Sequence, residues 1–479
     1  MTDAATVRTT AFDRRLLAPM MLGAILNPIN SSILAVSLVP IGAAFGAPPS
    51  QTAWLIGSLY LATAIGQPVV GRLIDLYGPR RLFLTATVLV GIAGVIGMLA
   101  PNLGVLIVAR VLLGFGTCAG YPAAMFLIRS EAKRTGMSSP AGVLTALAVT
   151  TQTITVIGPV LGGLLISVGG WRATLALNVP LALVSLILGA RYLPRTAIPE
   201  ASRNGSALGG VDLPGIGLFA PTLVTLLLFL LEPRADRWYL PVASILLGTL
   251  FVLRELRASS PFIDVRVLGG NRPLILTYIR AVLAATVTYA FLYGITQWLQ
   301  DGRGLSAAEA GLVQLPLFGV ALVVSSTTGR NPRIRGKLMV ASAGQLAACL
   351  MLLLVGGSSP ILLILGVMVV LGIPQGLNSL ALQNCVYHQA DPARIGSSAG
   401  LLRTSSYLGA MIASAATGAF FPHQADTPGL RHLTWFLIVV AAAYVAITLV
   451  DRSLAAVGRP SPIAEEESEP LAATTGGSV

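Results

Sequence analysis

Charged side chains are scarce in this sequence. Asp, Glu, Lys and Arg together make up 10% of its 479 residues, whereas 54% of the residues are hydrophobic. Soluble domains carry about a quarter charged residues, and a single soluble core has no room for so much apolar surface. The composition therefore excludes an ordinary soluble protein and predicts an integral membrane protein that crosses the bilayer many times.

Cysteine and histidine are also rare, with three residues of each type. Cys118, Cys349 and Cys385 fall inside apolar segments without paired spacing, which indicates small packing residues and excludes a disulfide framework. The histidines lie at loops or helix ends and do not cluster. Since there is no metal-binding or hydrolase motif, the sequence predicts no enzyme, no cofactor and no bound metal.

Basic residues outnumber acidic ones, and the formal net charge is +12. A nucleic-acid-binding surface would gather the basic residues into one stripe or patch. Here they are scattered over short loops between apolar segments. The charge is better explained by loops that contact an anionic membrane surface, so the expected partner is a lipid bilayer and not a nucleic acid.

Fourteen apolar segments are long enough to cross a bilayer, which takes roughly 20 residues of helix. They lie at about 17–40, 52–74, 82–99, 103–128, 140–168, 173–192, 212–231, 238–256, 273–298, 308–328, 337–356, 360–386, 397–420 and 432–450. We number them spans 1 to 14. The least certain are spans 7 and 8, because only the short polar segment Glu232–Arg237 separates them.

The Lys and Arg residues are distributed unevenly between the two sides of this arrangement. If the N-terminus is inside, 23 of the 31 lie in inside segments, 5 in outside loops and 3 within spans. This is a strong positive-inside bias, and it would weaken if one span were missed. We therefore predict a multi-pass protein of the cell membrane (inner or plasma) with both termini in the cytoplasm.

A weak internal repeat divides the chain into two halves. Gly-Met-Ser-Ser-Pro-Ala-Gly-Val-Leu opens span 5 from Gly136, and Gly-Ser-Ser-Ala-Gly-Leu-Leu opens span 13 from Gly396. Two related six-helix bundles with spans 7 and 8 inserted between them would explain the match, and chance similarity between helices rich in small residues is the alternative. The predicted organisation is a cytoplasmic N-terminus (1–16), an N-terminal bundle (17–192), a linker with two extra spans (193–271), a C-terminal bundle (272–450) and a disordered cytoplasmic tail (451–479).

The hairpin between spans 2 and 3 carries a charged motif. It places Gly71, Asp75 and Gly78 before the arginine pair Arg80 and Arg81. A small glycine permits close helix approach, the carboxylate can pair with a cation or a helix N-terminus, and arginines hold a loop on the cytoplasmic side. The motif resembles the loop between the second and third helices of major facilitator superfamily transporters, which implies a conformational or gating role. The alternative is an ordinary basic loop.

Two motifs inside spans strengthen the resemblance. Arg110 in span 4 begins a sequence similar to the Arg-x-x-x-Gly signature of the family, and a charge at that depth is costly enough to be functional by default. In span 5, Gly158, Pro159, Gly162 and Gly163 match the Gly-Pro-x-x-Gly-Gly element associated with exporters of the antiporter type. Such a proline and such glycines would bend the helix and allow tight packing.

Two further segments are similar to the fourteen-helix drug–proton antiporter branch of the family. They are Gly170–Arg172 after span 5 and Pro261–Leu268 before span 9. The second half departs from the family pattern, because its hairpin at Gly329–Arg333 lacks the acidic residue.

The resemblance implies an all-α major facilitator fold of two six-helix bundles plus two inserted helices. It further implies a monomeric secondary active exporter of a small molecule, in multidrug or metabolite efflux, coupled to protons and working by alternating access. An uptake permease or uniporter for a polar metabolite is the first alternative. A membrane receptor or scaffold that transports nothing is the second.

Polar residues within the spans are the candidates for a substrate cavity, since such residues usually face the protein interior or a wet pathway. Tyr289, Tyr293 and Gln297 recur every four residues and share one face of span 9. The whole predicted set is Asn27, Asn30, Gln67, Gln152, Arg280, Tyr289, Tyr293, Gln297, Gln314, Gln375 and Asn378. For each residue taken singly, hydrogen bonding between helices is an equally good explanation.

Acidic residues are missing from the middle of every predicted span. Asp75 and Glu309 lie close to helix ends, and together with Arg110 they are the predicted residues for proton coupling or a charge relay. Arg110 and Arg280 place positive charge within the membrane without a matching acid, which favours a neutral or anionic substrate. The alternative is that backbone carbonyls neutralise both arginines. For Arg403, snorkelling to the membrane interface is a further alternative.

The charge bias gives a direct test of the topology. In a cysteine-free background, Arg80→Cys and Lys337→Cys should react with a membrane-impermeant maleimide only from the cytoplasm, and Asp236→Cys only from outside. Labelling of position 236 from the cytoplasm alone would contradict the arrangement of fourteen spans.

Overall fold

Helices make up all the regular secondary structure in the described part of the computed structural model. The structure describes residues 12–135, 141–194, 212–231, 234–258, 261, 265–267, 270–328, 333–390 and 395–455. Residues 1–11, 195–211 and 456–479 lie outside the described ranges. The predicted N-terminus, linker and tail are therefore described only in part.

Fourteen helical spans cross the described fold, as the sequence predicts. In chain order they are Leu17–Phe45, Pro49–Tyr77, Pro79–Met98, Leu103–Thr117 with Gly120–Thr135, 141–168, 171–192, Leu213–Leu231, Tyr239–Arg257, Arg272–Ala290 continued to Thr296–Asp301, Ala307–Thr328, Ile334–Leu352, Ile361–Gln389, Ile395–Phe420 and Thr427–Val450. Short 3-10 helices lie at Arg14–Leu16, Ala235–Arg237, Val265–Val267 and Arg452–Ala455. Among the described residues, 11 helical segments are long and apolar enough to cross a membrane by length and composition. Because the number of spans is even, span 1 begins and span 14 ends on the same face, which we call the terminal side; the opposite face is the far side.

Regular α-helix is interrupted in span 4, in span 9 and between spans 5 and 6. Span 4 breaks at Cys118, and span 9 contains a π-helical segment, Phe291–Ile295, of the kind often found at functional sites. The helix Ala141–Ala176 serves both span 5 and the start of span 6. It breaks at Gly169 and Gly170, where Gly170 has a φ of +67° that glycine adopts without strain.

The helices of the two halves pack in the same order. In the N-terminal half, span 1 packs on span 5, span 2 on span 4, and span 3 on spans 4 and 6. The C-terminal half repeats this with span 9 on span 13, span 10 on span 12, and span 11 on spans 12 and 14. The halves meet where span 2 packs on span 13 and span 5 on span 10, and the same repeat relates these two contacts. The packing confirms the predicted fold class of two related bundles with two inserted helices.

The inserted spans lie beside one of the two contacts between the halves. Span 7 packs on both span 2 and span 13, and Leu227 of span 7 lies against Gly57 of span 2. Span 8 packs on span 7, where the tilted rings of Phe219 and Phe251 have centroids 5.3 Å apart. The insert therefore covers the outside of the contact between spans 2 and 13 without separating the halves.

A buried ion pair joins spans 9 and 14 on the terminal side. Arg280 is 0% exposed, and its Nη2 donates to the carboxylate of Asp451 and to the carbonyl of Ile447 at 3.3 Å. Burial raises the pKa of Asp451, but hydrogen bonds from Ser453 and Arg280 outweigh burial and hold that pKa below its usual range. The carboxylate is therefore charged at neutral pH. The expectation that Arg280 has no matching acid is wrong, because the packing of span 14 on span 9 brings a distant acid to it.

Loss of the Asp451 charge should destabilise the fold. Asp451→Asn leaves Arg280 buried without an acid, and breaking a buried pair in this way typically costs about 3–5 kcal/mol. We expect the unfolding midpoint of the purified protein in detergent to fall by several degrees. Asp236→Asn is the matched control, since the ion pair of Asp236 with Arg234 is exposed and such pairs contribute little.

The double variant Arg280→Met with Asp451→Asn should recover most of the lost stability, because no unpaired charge remains in it. If Asp451→Asn were as stable as Asp236→Asn, the buried pair would have no structural role.

Candidate functional site

The two halves touch closely on the far side. Ser50 in span 2 donates from Oγ to the carbonyl of Pro422 at 3.0 Å, and Ser414 in span 13 donates to the carbonyl of Ala53 at 2.8 Å. A Cβ atom on Gly418 would lie 3.2 Å from the Cβ of Ala53. The backbones of spans 2 and 13 therefore have no space for a ligand between them here. We call these five residues the far-side seal.

The Gly-Pro element of span 5 lies where spans 1, 5 and 10 meet. Gly158 and Gly162 pack against span 1, and Gly163 packs against Ala308 of span 10, so closely that a Cβ at any of the three would collide with its neighbour. The carbonyl of Pro159 lies against a glycine of span 10, and the helix continues through the proline. The element therefore lets the two halves approach through small residues.

A cluster of tyrosines connects the halves near the middle of the fold. The hydroxyl oxygens of Tyr60 in span 2 and Tyr293 in span 9 are 2.9 Å apart, and the Tyr293 hydroxyl also donates to the carbonyl of Ser31 at 3.3 Å. The Tyr60 ring meets that of Tyr289 edge-on at 5.2 Å and stacks with that of Tyr407 in span 13 at 5.7 Å. We call Tyr60, Tyr289, Tyr293 and Tyr407 the tyrosine cluster. The sequence pointed to Tyr289 and Tyr293, but Tyr60 and Tyr407 were missed because no motif marks them.

Arg110 lies beside the tyrosine cluster but is almost completely enclosed. It is 2% exposed, and its Nε donates to the carbonyl of Leu55 in span 2 at 3.3 Å. Its Nη2 is buried without a hydrogen-bond partner among the described residues. Tyr60 and Tyr293 are the titratable groups that interact with it. Arg110 is therefore placed to act on the hydroxyl groups of the cluster.

Most of the predicted amides connect helices. Asn27 donates to Thr117 of span 4 (3.1 Å), Asn30 exchanges two hydrogen bonds with Asn178 of span 6 (2.7 and 2.9 Å), Gln314 donates to Thr296 of span 9 (2.7 Å), Asn378 accepts from Tyr444 of span 14 (2.6 Å) and Gln297 donates to the Tyr293 carbonyl within span 9 (3.3 Å). These bonds satisfy polar groups that would otherwise be costly in a membrane.

Besides Asn27, three predicted amides are only half-buried. They are Gln67 in span 2, Gln152 in span 5 and Gln375 in span 12. The Oε1 of Gln67 has no hydrogen-bond partner in the described part of the chain, and the Oε1 of Gln375 accepts from Thr288 at 3.0 Å.

Arg403 is an exposed cation that lies between the halves in the described part of the chain. Its side chain is exposed, yet its guanidinium lies over the ring of Tyr121 in span 4, 4.4 Å from the centroid. Tyr289 and Tyr407 also interact with it. Because Tyr121 belongs to the opposite half, Arg403 reaches across the interface and does not snorkel along its own helix.

The charged hairpin is described except for its acid. Span 2 ends at Tyr77, and Gly78 turns the chain with a φ of +83°. Arg80 donates to two carbonyls near the end of span 6, at 2.9 and 2.6 Å, whereas Arg81 is exposed and Gly71 has open space where a side chain would be. The side chain of Asp75 lies outside the described residues.

Glu309 lies on the far side, in the first turn of span 10, and is exposed. Its Oε2 accepts from the backbone nitrogen and the hydroxyl of Ser306, both at 2.8 Å, and Ser306 accepts from the nitrogen of Glu309 at 3.2 Å. This reciprocal pattern is a capping box, which satisfies the free donors at a helix N-terminus.

Acidic residues do not approach the centre of the interface in the part of the chain that the structure describes. The titratable groups that interact with the tyrosine cluster, Arg110 and Arg403 are tyrosines, arginines and Cys118. The same described residues contain no group of three or more His, Cys, Asp or Glu side chains that could hold a metal ion. The described centre of the interface is therefore formed by tyrosine and arginine side chains.

Solved structures with this architecture are transporters. A point mutant of the nucleoside transporter NupG superposes with a TM-score of 0.62 at 12% identity, over 90% of this chain and 99% of that one. A structure of a proton dependent oligopeptide transporter gives a TM-score of 0.66 at 15% identity, over 92% and 98%. At these identities the likeness concerns the fold alone.

Sequence relatives extend over nearly the whole chain. The uncharacterized MFS-type transporter YwoD of Bacillus subtilis (strain 168) is 33% identical over 88% of this chain and 93% of its own length. The lincomycin resistance protein of Streptomyces lincolnensis is 29% identical, over 90% and 88%. The multidrug efflux pump LfrA of Mycolicibacterium smegmatis (strain ATCC 700084 / mc(2)155) is 26% identical, over 88% and 84%. The family model described as Major Facilitator Superfamily matches residues 20–414. This chain therefore belongs to the major facilitator superfamily of membrane transporters.

Proposed function

We propose that this transporter is a secondary active exporter of small molecules, in multidrug or metabolite efflux, that works by alternating access. The observation that carries the proposal is the contrast between the two sides of the interface. The far-side seal holds spans 2 and 13 together, whereas Arg403, roughly 12 Å from the terminal-side end of span 13, is exposed between the halves. Two relatives named for resistance and efflux support the export direction.

The positive-inside bias supports a cytoplasmic terminal side with both chain termini there, in the plasma membrane. The far-side seal then closes the protein toward the outside, and Arg403, beside the buried tyrosine cluster, is reached from the cytoplasm. Since the interface is formed by the two halves of one chain, a monomer is sufficient for transport.

Export requires the far-side seal to open. Each of its two neutral hydrogen bonds contributes about 1 kcal/mol net, so opening it is energetically accessible if new contacts form on the terminal side. The small residues at the two contacts between the halves, spans 2 with 13 and 5 with 10, are suited to rocking of one rigid bundle against the other.

We further propose that a proton gradient drives the cycle and that Asp75 is the main coupling group. Asp75 lies at the terminal-side end of span 2, the helix whose far-side end carries Ser50 and Ala53 of the seal. Neutralising it would change the charge of the hairpin that Arg80 ties to span 6. Glu309 stays a second candidate, although its capping box gives it a structural task. Arg110 would relay charge to the hydroxyl groups of the tyrosine cluster.

Flux in the two membrane orientations tests this function. A compound that inhibits growth less when the transporter is expressed should be excluded by whole cells and accumulated by everted vesicles that carry a proton gradient. Asp75→Asn should abolish most of that flux and leave the affinity for the compound within a few-fold, because the acid controls the conformational cycle and does not contact the substrate. Asp236→Asn, which changes an exposed acid on the far side, is the matched control and should transport normally.

Accumulation by whole cells would favour the alternative, an uptake permease or uniporter for a polar metabolite. Binding of the compound without flux in either orientation would indicate a receptor. If Asp75→Asn lost affinity in proportion to flux, the acid would belong to the substrate site.

A further inference from the structure

We propose that the central site takes an organic anion with an apolar or aromatic body, and that Arg403 binds its negative charge. This inference rests on the proposed transport function and names the substrate class for it. The site consists of Arg403 with Tyr121, Tyr289 and Tyr407 around it.

The three arginines within spans differ in how much charge they can offer a ligand. Arg280 is neutralised by Asp451 and is 0% exposed. Arg110 is 2% exposed and donates to a backbone carbonyl. Arg403 alone among the three is exposed, and its neighbours are tyrosines. The positive charge available at the interface therefore belongs to Arg403, and not to the two arginines that the sequence favoured.

The orientation of Arg403 leaves some of its hydrogen-bond donors available to a ligand. Its guanidinium lies over the Tyr121 ring, and such a cation–π contact uses the flat face of the group. Tyr121 and Tyr407 also interact with the group through side-chain hydrogen bonds. A guanidinium has five N–H donors in its plane, so donors remain that a carboxylate can accept. Tyr121 and Tyr407 thus orient the arginine without occupying all of its donors.

The internal repeat indicates that the fold does not need an arginine at this position. When the sequences of the two spans are aligned with Gly142 of span 5 matched to Gly400 of span 13, Thr145 is the residue that corresponds to Arg403. The two spans hold equivalent places in their halves, since span 1 packs on span 5 as span 9 packs on span 13. A charge in only one of the two copies suggests a role in binding rather than in packing.

The position of the site suits a transported ligand. Arg403 and Tyr407 lie on span 13 of one half, and Tyr121 lies on span 4 of the other. A molecule bound there contacts both halves, so movement of one half relative to the other would change its contacts. A cationic molecule would be repelled, because no carboxylate of the described residues acts on this group. The half-buried rings of Tyr121 and Tyr289 can contact an apolar or aromatic body.

Two probes with the same ring system but different charge show how much of the affinity comes from the negative charge. We would measure equilibrium binding of a coumarin carboxylate, its neutral ethyl ester and cationic ethidium to the purified full-length transporter. The carboxylate should bind more tightly than the ester, and ethidium should bind weakest. Arg403→Gln should weaken carboxylate binding about tenfold or more and leave the ester within twofold. Arg403→Lys should weaken it less than Arg403→Gln, because lysine keeps the charge but not the planar group.

Arg431→Gln is the matched control, since it removes an exposed arginine at the far-side end of span 14. Stronger binding of ethidium than of the carboxylate, equal carboxylate binding by Arg403→Gln and the wild type, or no carboxylate binding by the wild type would each overturn the proposal. Flux of the carboxylate in everted vesicles is a separate measurement. Arg403-dependent binding without flux would uphold the anion site and refute export.

Discussion

The contact between the two halves depends on side chains small enough for backbones to touch. Gly163 of span 5 meets Ala308 of span 10, and Gly418 of span 13 meets Ala53 of span 2. Inside a bilayer the hydrophobic effect does not press helices together, so close packing and hydrogen bonds must hold them. The far-side seal and the tyrosine cluster both exist because these two helix pairs approach so closely. A larger residue at Gly163 would push the halves apart. It would also disrupt the central site, which residues of both halves form.

The scarcity of charge in the spans makes each remaining charge informative. Arg280 is matched by an acid and stabilises one half. Arg110 is enclosed beside hydroxyl groups, where it can influence them but cannot easily meet a ligand. Arg403 is accessible and held across the interface by an aromatic ring. A long and costly side chain is kept in all three places, yet the three environments support three different tasks.

The sequence predicted the architecture well because long apolar segments and the positive-inside bias are local properties of the chain. All fourteen spans are present, and the repeat seen at Gly136 and Gly396 corresponds to equal packing in the two halves. The pairing of Arg280 with Asp451 escaped prediction, because it depends on which helices are neighbours in space. The sequence did place both residues on the terminal side, because Arg280 lies two turns into span 9 and Asp451 follows span 14. That shared position is the signal that could have suggested the pair.

The candidate site was predicted only in part. Spacing every four residues identified Tyr289 and Tyr293, but Tyr60 and Tyr407 come from other spans and carry no periodic signal. Snorkelling was a reasonable alternative for Arg403. The sequence shows how far this residue lies from the end of its span, but it does not show in which direction the side chain points. Most predicted amides turned out to bond neighbouring helices, which sequence alone does not distinguish from ligand contact.

Covalent closure of the far-side seal would show whether the halves must separate there for transport. Ala53→Cys with Gly418→Cys, in a background without the native cysteines, places two thiols at a Cβ separation of 3.2 Å, close to the roughly 3.5–4.5 Å of a disulfide. After oxidation the protein should still bind substrate from the terminal side but transport none of it, and a reductant should restore flux. Undiminished transport by fully cross-linked protein would contradict the account.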